Sequence, residues 1–183
     1  MGDILQEIES VYKKADCLYT RPQVEAALDR LAQEITIKLS TYNPLLLCCM
    51  IGGIIPCGGL LPRLNFPLQL DYIHATRYQG EIEGGVLRWL YKPLTPLRGR
   101  TVLVIDDIFD EGHTLAAILE YCREEGATAY SAVLVDKLHD RKRDGLSADF
   151  IGLRAEDYYL FGYGLDYKGY LRNAPGVYAL RRS

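Results

Sequence analysis

The stretch VLVIDDIFDEGHTL, Val102 to Leu115, decides how this chain reads. The β-branched run from Thr101 to Ile105 predicts a buried strand that ends at Asp106-Asp107. A short loop then delivers Asp110, Gly112 and Thr114 to a helix expected from about His113 to Glu125. The start of a helix presents unpaired backbone amides and a partial positive charge, so it holds a phosphate well. Gly112 lets the backbone close around such an anion, and Thr114 adds a hydroxyl donor. Two carboxylates at a strand end cannot grip a phosphate directly. They suit sugar hydroxyls, or a magnesium ion bound to the sugar. Phosphate donors beside carboxylates describe a site for a phosphorylated sugar. An isolated Asp or Thr at a helix start is an ordinary cap; the whole pattern behind a β-branched strand favours the site.

Outward from this segment, strands alternate with helices. Leu45 to Ile51 is a continuous apolar run closed by Gly52-Gly53, as a buried parallel strand would be, with glycines where backbone approaches a neighbour closely. Ile54 to Leu64 reads as a helix or an irregular glycine-rich segment, Leu68 to Ala75 as a strand, and Tyr78 to Leu87 as a loop or hairpin. Val86 to Tyr91 and Tyr130 to Val135 read as further strands. Gly126 stands where a helix C-terminal glycine belongs. At the other end, Ile4, Leu5, Ile8 and Val11, then Val24, Leu28, Leu31 and Ile35, recur at helical spacing. Thr20-Arg21-Pro22 is a helix opening. This alternation predicts an α/β fold, a central parallel β-sheet flanked by helices. The tail from Phe150 to Arg182 is expected beside the sheet edge as part of a cap.

The composition agrees. The 183 residues suit one domain, with 49% hydrophobic and 25% charged residues. A net charge of -3 disfavours a protein that coats nucleic acid. The longest apolar stretch, Pro44 to Leu61, is interrupted by four glycines and a proline, so no membrane span is expected. Five cysteines without a CxxC pair or a Cys/His ladder read as reduced thiols of a cytoplasmic protein. The 14 tyrosines against 4 phenylalanines suit stacking surfaces.

The segment from Val102 to Leu115 resembles the signature of the type I phosphoribosyltransferases, and Asp110 resembles the 6-oxopurine, hypoxanthine-guanine branch. The likeness covers most of the chain from Leu45 onward. It implies a transferase that joins hypoxanthine or guanine to phosphoribosyl pyrophosphate (PRPP), giving IMP or GMP in purine salvage, with Mg2+ as cofactor. Asp106 and Asp107 would face the ribose hydroxyls. The loop of Asp110, Glu111, Gly112, His113 and Thr114 would wrap the 5′-phosphate, with Asp110 also the catalytic proton acceptor at purine N7. Gly52 and Gly53 would offer amides to pyrophosphate, although Ile51 stands where many relatives carry a basic residue. Arg77 and Tyr78 would belong to a flexible loop that closes over the site. Lys137 would donate to purine O6, Tyr159 would stack on the ring and the Leu160 backbone would read its edge. Asp166 would bind magnesium beside the base, with Asp106 and Asp107 as further metal contacts, and Arg172 would meet pyrophosphate.

The resemblance further implies a single domain over residues 1–183, with a small hood formed mainly by the N-terminal segment and residues 150–183, and a homodimer or homotetramer. Glu111 and His113 depart from the usual phosphate-loop pattern; the Glu111 side chain would have to point outward. Arg141, Lys142 and Arg143 read as a solvated loop. Two alternatives stay open: a xanthine-preferring 6-oxopurine enzyme, and a PRPP-sensing, nucleic-acid-binding regulator of the same fold. The regulator should lack the base-side carboxylate and carry a basic face.

Overall fold

The computed structural model describes residues 2–77, 87–143 and 145–180. Leu45–Cys49 (here β2, after β1 at Asp16–Thr20) is a strand buried at every position. It is buried because both its neighbours are parallel strands and both its faces are covered. Those neighbours are β3 (Gln69–Arg77) and β5 (Thr101–Phe109). With β4 (Leu87–Tyr91), β6 (Thr128–Leu138) and β7 (Phe150–Glu156) they form a six-stranded sheet in the order β4-β3-β2-β5-β6-β7. All its pairs are parallel except β3 with β4 at one edge.

The two-residue period of a strand sorts the core. Leu46, Cys48, Leu103 and Ile105 point to one face, where they pack with Val24, Leu28, Leu31 and Ile35. Those four belong to α2 (Arg21–Leu39), whose apolar positions recur as its sequence predicts. Leu45, Leu47, Val102 and Val104 point to the other face and meet Leu115, Ile118, Leu119 and Cys122 of α4 (His113–Glu124). Thr20 caps α2 as expected: its backbone N–H donates to Gln23 Oε1 at 2.9 Å, with Pro22 in the first turn. Gly126, at φ 86°, lets Ala127 N–H return to the Cys122 carbonyl at 3.0 Å and close α4.

A second, smaller sheet in the order β1-β9-β8 joins β1 to β8 (Tyr159–Phe161) and β9 (Gly176–Leu180), all antiparallel. The amphipathic α1 (Gly2–Lys14) lies against it through Tyr12, whose ring is 6.1 Å from Phe161 and 5.2 Å from Tyr178. The expected hood boundary at residue 150 falls too early. Phe150–Glu156 pairs with β6 in the main sheet, and the small sheet takes up only later residues. Ile54–Leu60 is a short helix, α3, running into a single 3-10 turn.

Two strands outrun their expected ends. β5 does not stop at the acid pair but runs to Phe109, and β6 runs through Lys137 to Leu138, because the two stay paired from Thr101↔Thr128 to Phe109↔Asp136. On its other side β5 loses β2 after Cys48↔Ile105. There the turn after β2 takes the strand's place: a Cβ on Gly53 would lie 2.6 Å from the Cys49 carbonyl and 2.7 Å from that of Ile105. Both obstacles are backbone, so Gly53→Ala should destabilise the fold by about 1–3 kcal/mol, as overpacking does. Urea denaturation measures this.

Candidate active site

At the carboxyl ends of β2, β3 and β5 the mismatch in strand length leaves a cleft of about 490 Å³. Gly52, Asp107, Asp110, Thr114, Asp166 and Arg172 are among the residues that line it. Open α/β sheets bind their ligands in such a position. The expected Asp106, Glu111, Gly112 and His113 also face it, whereas Gly53 sits behind the wall. Lys137, Tyr159 and Leu160 lie outside this cleft.

The floor is acidic and nearly dry. Asp107 is only 9% exposed, and its backbone N–H donates to Asp106 Oδ1 at 3.0 Å. Burial, and the adjacent Asp107 carboxylate, hold the Asp106 carboxyl well above the usual range. Burial raises Asp107 as well, against the pull of its bond with Asp106 and of Arg172 nearby. Arg172 Nη1 stands 3.8 Å from Asp107 Oδ2 and donates to the Gly164 carbonyl at 2.6 Å, while Nη2 pairs with Asp166 Oδ1 at 2.6 Å. Asp166 Oδ2 accepts from Gly169 N–H at 2.7 Å. The tail thus delivers Arg172 and Asp166 to the acid pair.

The phosphate side is built from backbone. Gly112 takes φ 83°, and a Cβ there would strike the Phe109 ring at 2.2 Å, so only glycine makes this corner. Helix α4 follows at His113, and its first intrahelical bond is donated by Ala116 to the Gly112 carbonyl. The earlier amides of the turn have no helical partner, and His113 and Thr114 line the cleft. Glu111 lines the cleft at that point beside two basic side chains. Its carboxylate lies 3.6 Å from His113 Nε2 and 3.8 Å from Arg141 Nε. Opposite, Gly52 passes so close to Asp107 that a Cβ would lie 2.0 Å from Oδ2. Ile51 is 53% exposed and brings no charge to this turn.

A second cluster flanks the cleft. Asp110 reaches from the loop to Lys137, whose Nζ is 3.0 Å from Asp110 Oδ2 and 2.9 Å from Asp157 Oδ1. Asp157 also pairs with Arg141 Nη1 at 2.8 Å. These two cations hold the Asp157 carboxyl well below its usual range, Arg141 being the larger cause. His139 Nε2 lies 2.6 Å from Asp110 Oδ1. Tyr159, half exposed, stands edge-on to Tyr167 at 5.4 Å, and the Leu160 side chain is buried, so only its backbone can meet a ligand. Arg77 ends β3, and Tyr78 lies outside the described residues.

Asp157 and His139 were given no role from sequence, and Arg141 only that of a solvated loop residue. The two-residue spacing of Lys137, His139 and Arg141, which an extended segment would place on one side, was a signal for the latter two. The basic run is not simply solvated, as the sequence had implied. Arg141 is ion-paired, and Lys142 pairs with Asp136 and lies 4.7 Å over the Phe109 ring.

Two groups of side chains have the chemistry of metal ligands. The ligand atoms of Asp110, His139 and Asp157 lie within 4.8 Å of one another, but the Lys137 ammonium bridges both carboxylates and Arg141 neutralises the second. That group does not fit a cation. Asp106, Asp107 and Asp166 form the other group, less closely gathered and with Asp166 paired to Arg172. They offer hard oxygen donors to the same cleft, and a divalent ion would offset the burial that now disfavours charge on the first two.

The family model described as the phosphoribosyl transferase domain matches residues 14–168. The chain belongs to the type I phosphoribosyltransferase family. The hypoxanthine-guanine-xanthine phosphoribosyltransferase of Tritrichomonas foetus is 31% identical over 91% of each chain. The hypoxanthine-guanine phosphoribosyltransferase of Bacillus subtilis strain 168 is 29% identical over 90% of this chain and 92% of its own. A solved hypoxanthine-guanine-xanthine phosphoribosyltransferase superposes with a TM-score of 0.82 at 28% identity, covering 91% of this chain and 97% of the other. In this phosphoribosyltransferase, Gly52→Ala should displace the Asp107 carboxylate. Calorimetry with Mg2+ should then show PRPP binding weakened by about tenfold or more, the ~1.4 kcal/mol scale of one charge-assisted contact.

Proposed function

We propose that this phosphoribosyltransferase transfers the 5-phosphoribosyl group from PRPP to N9 of hypoxanthine or guanine, yielding IMP or GMP and pyrophosphate. The observation that carries this reading is the pairing of Asp110 with Lys137 at 3.0 Å on the rim of the phosphate cleft. One end of that rim offers a carboxylate that takes a proton, and the other an ammonium that donates. A 6-oxopurine presents the complement, N7–H beside O6. A 6-aminopurine puts a donor where Lys137 needs an acceptor.

The roles follow from position. The open amides of the loop at Gly112–Thr114 receive the 5′-phosphate, and Asp106 and Asp107 meet the ribose hydroxyls. Arg172 and the Gly52 turn face the pyrophosphate. Asp106, Asp107 and Asp166 would hold magnesium, which would supply positive charge to screen the departing pyrophosphate. As N9 bonds to C1′ and the C1′–oxygen bond to pyrophosphate breaks, the N7 proton passes to the Asp110 carboxylate. The acidic floor stabilises the cationic character that develops on the sugar. Lys137 exchanges Asp110 for purine O6 and keeps Asp157 as its anchor. Tyr159 supplies a half-exposed ring for stacking, with the small sheet and α1 as the hood over the base. The five free thiols suit a reducing, cytoplasmic setting, and assembly as a homodimer or homotetramer rests on likeness to the family.

Purified protein with Mg2+ and PRPP should turn over hypoxanthine or guanine, and adenine little, in a spectrophotometric assay that also includes xanthine. Preference for xanthine would move the reading to the xanthine enzymes. Binding of PRPP without turnover of any base would move it to the regulators. Asp110→Asn should lower kcat by about 10²–10⁴-fold, the usual range for a general acid–base group, with PRPP affinity nearly kept. Lys137→Ala should raise the KM for hypoxanthine by about tenfold or more, since a hydrogen bond to a charged group contributes ~1.5–3 kcal/mol. An unchanged KM would remove Lys137 from the base site.

A further inference from the structure

We propose that His139 is the positioning residue for Asp110: its Nε2–H fixes one carboxylate oxygen and leaves the other to the purine. The inference rests on the proton-accepting role given to Asp110 above. Asp110 projects from a loop with its side chain 44% exposed, a setting in which a short carboxylate samples several rotamers. The His139 side chain, by contrast, is only 4% exposed. A buried ring in contact with an exposed catalytic carboxylate is the fixed partner of the two.

The hydrogen bonds determine the tautomer. The backbone N–H of Arg141 donates to His139 Nδ1 at 3.2 Å, so Nδ1 is unprotonated and acts as an acceptor. The ring proton is therefore on Nε2, and it points at Asp110 Oδ1, 2.6 Å away. Turning the ring over would replace both nitrogens by carbons and lose both bonds, so the orientation is held from two sides. With Oδ1 held, Oδ2 is the oxygen left for substrate. In the free protein Oδ2 is bonded to Lys137 at 3.0 Å, the group that base binding draws away to O6. The end of β6 and the bend that follows it thus supply both contacts to Asp110: Lys137 near the end of the strand, which yields to the base, and His139 just past it, which does not. A carboxylate held in its reactive orientation saves the substrate complex the cost of ordering it.

Two variants of similar size separate this role from simple packing. Gln at position 139 can still present an amide N–H to Oδ1, whereas Met fills the space without a donor. For His139→Met the expected result is a kcat for hypoxanthine about 10–100-fold lower, the scale of a misplaced catalytic group, with PRPP affinity unchanged by calorimetry. His139→Gln should restore most of the lost turnover. Equal kcat in His139→Met and wild type would overturn the proposal. So would a Gln variant as impaired as Met while PRPP binding is intact, because size rather than the donor would then be at work. Should the Met variant not fold, nitrogen NMR of the wild-type imidazoles decides. Protonated Nε2 with bare Nδ1 at His139 upholds the geometry, and the opposite tautomer defeats it. Wild-type protein that binds PRPP yet turns over no 6-oxopurine would sink the functional reading instead, and the NMR result would still stand on its own.

Discussion

The continuous parallel pairing of β5 with β6 past the end of β2 is the constraint on which the site depends. Nine residues of β5 run beside β6, while β2 leaves after Cys48↔Ile105 and gives way to the Gly52-Gly53 turn. Asp106 and Asp107 are therefore held by a sheet on one side and open to a cleft on the other. The same extension brings Asp136 level with Phe109, so that Lys137 follows one residue beyond, beside Asp110. A buried sheet is rigid because its backbone groups are paired and its side chains close-packed. Charges that no loop could hold against solvent competition are fixed here by the framework of the core.

The cost of this placement falls on the acid pair. Two carboxylates side by side and out of water oppose one another, and both are pushed toward the neutral form. The fold answers with a nearby cation, Arg172, which Asp166 and the Gly164 carbonyl hold in place. A divalent ion with a polyphosphate would complete what Arg172 begins. The base side is arranged differently. Lys137 and Arg141 stand against Asp110, Asp157 and Glu111, and the His139 ring adds a directional contact to Asp110. One half of the site is short of positive charge, and the other is more nearly balanced.

Several residues far apart in sequence tie the two sheets together at this site. Tyr163, from the tail, donates to Glu25 of α2, and Glu25 is also paired with Arg63 beyond α3. Tyr167 donates to Glu7 of α1 at 2.7 Å. These bonds hold the segment that carries Asp166 and Arg172 against the helices beneath it, so the tail reaches the acid pair in a defined orientation.

Much of this was legible in the residues themselves. The strand–acid–glycine–helix order of Val102–Leu115, the buried run of β2, the helical spacing of α2 and the Thr20 cap are local patterns. Local patterns follow from backbone sterics and from which faces must be buried. The fold class and the phosphate loop rest on them, and with the family likeness so did most of the residues facing the cleft. The strand ends, the boundary of the small sheet and the partners of Lys137 were not legible. How far a strand runs depends on its neighbour, and β5 and β6 prolong each other past the point where apolar residues stop. Phe150–Glu156 joins the main sheet because β6 offers it an edge, which no composition of its own reveals. His139, Arg141 and Asp157 look like solvated charges in sequence, since an isolated polar residue carries no sign of what it will face. The sequence alone determined an α/β chain with a glycine turn into a helix behind two carboxylates, because those features need only neighbouring residues. Which charges meet around Asp110 was decided by the tertiary structure alone, because hydrogen bonds between side chains depend on separations of a few ångströms that only the packed sheet sets.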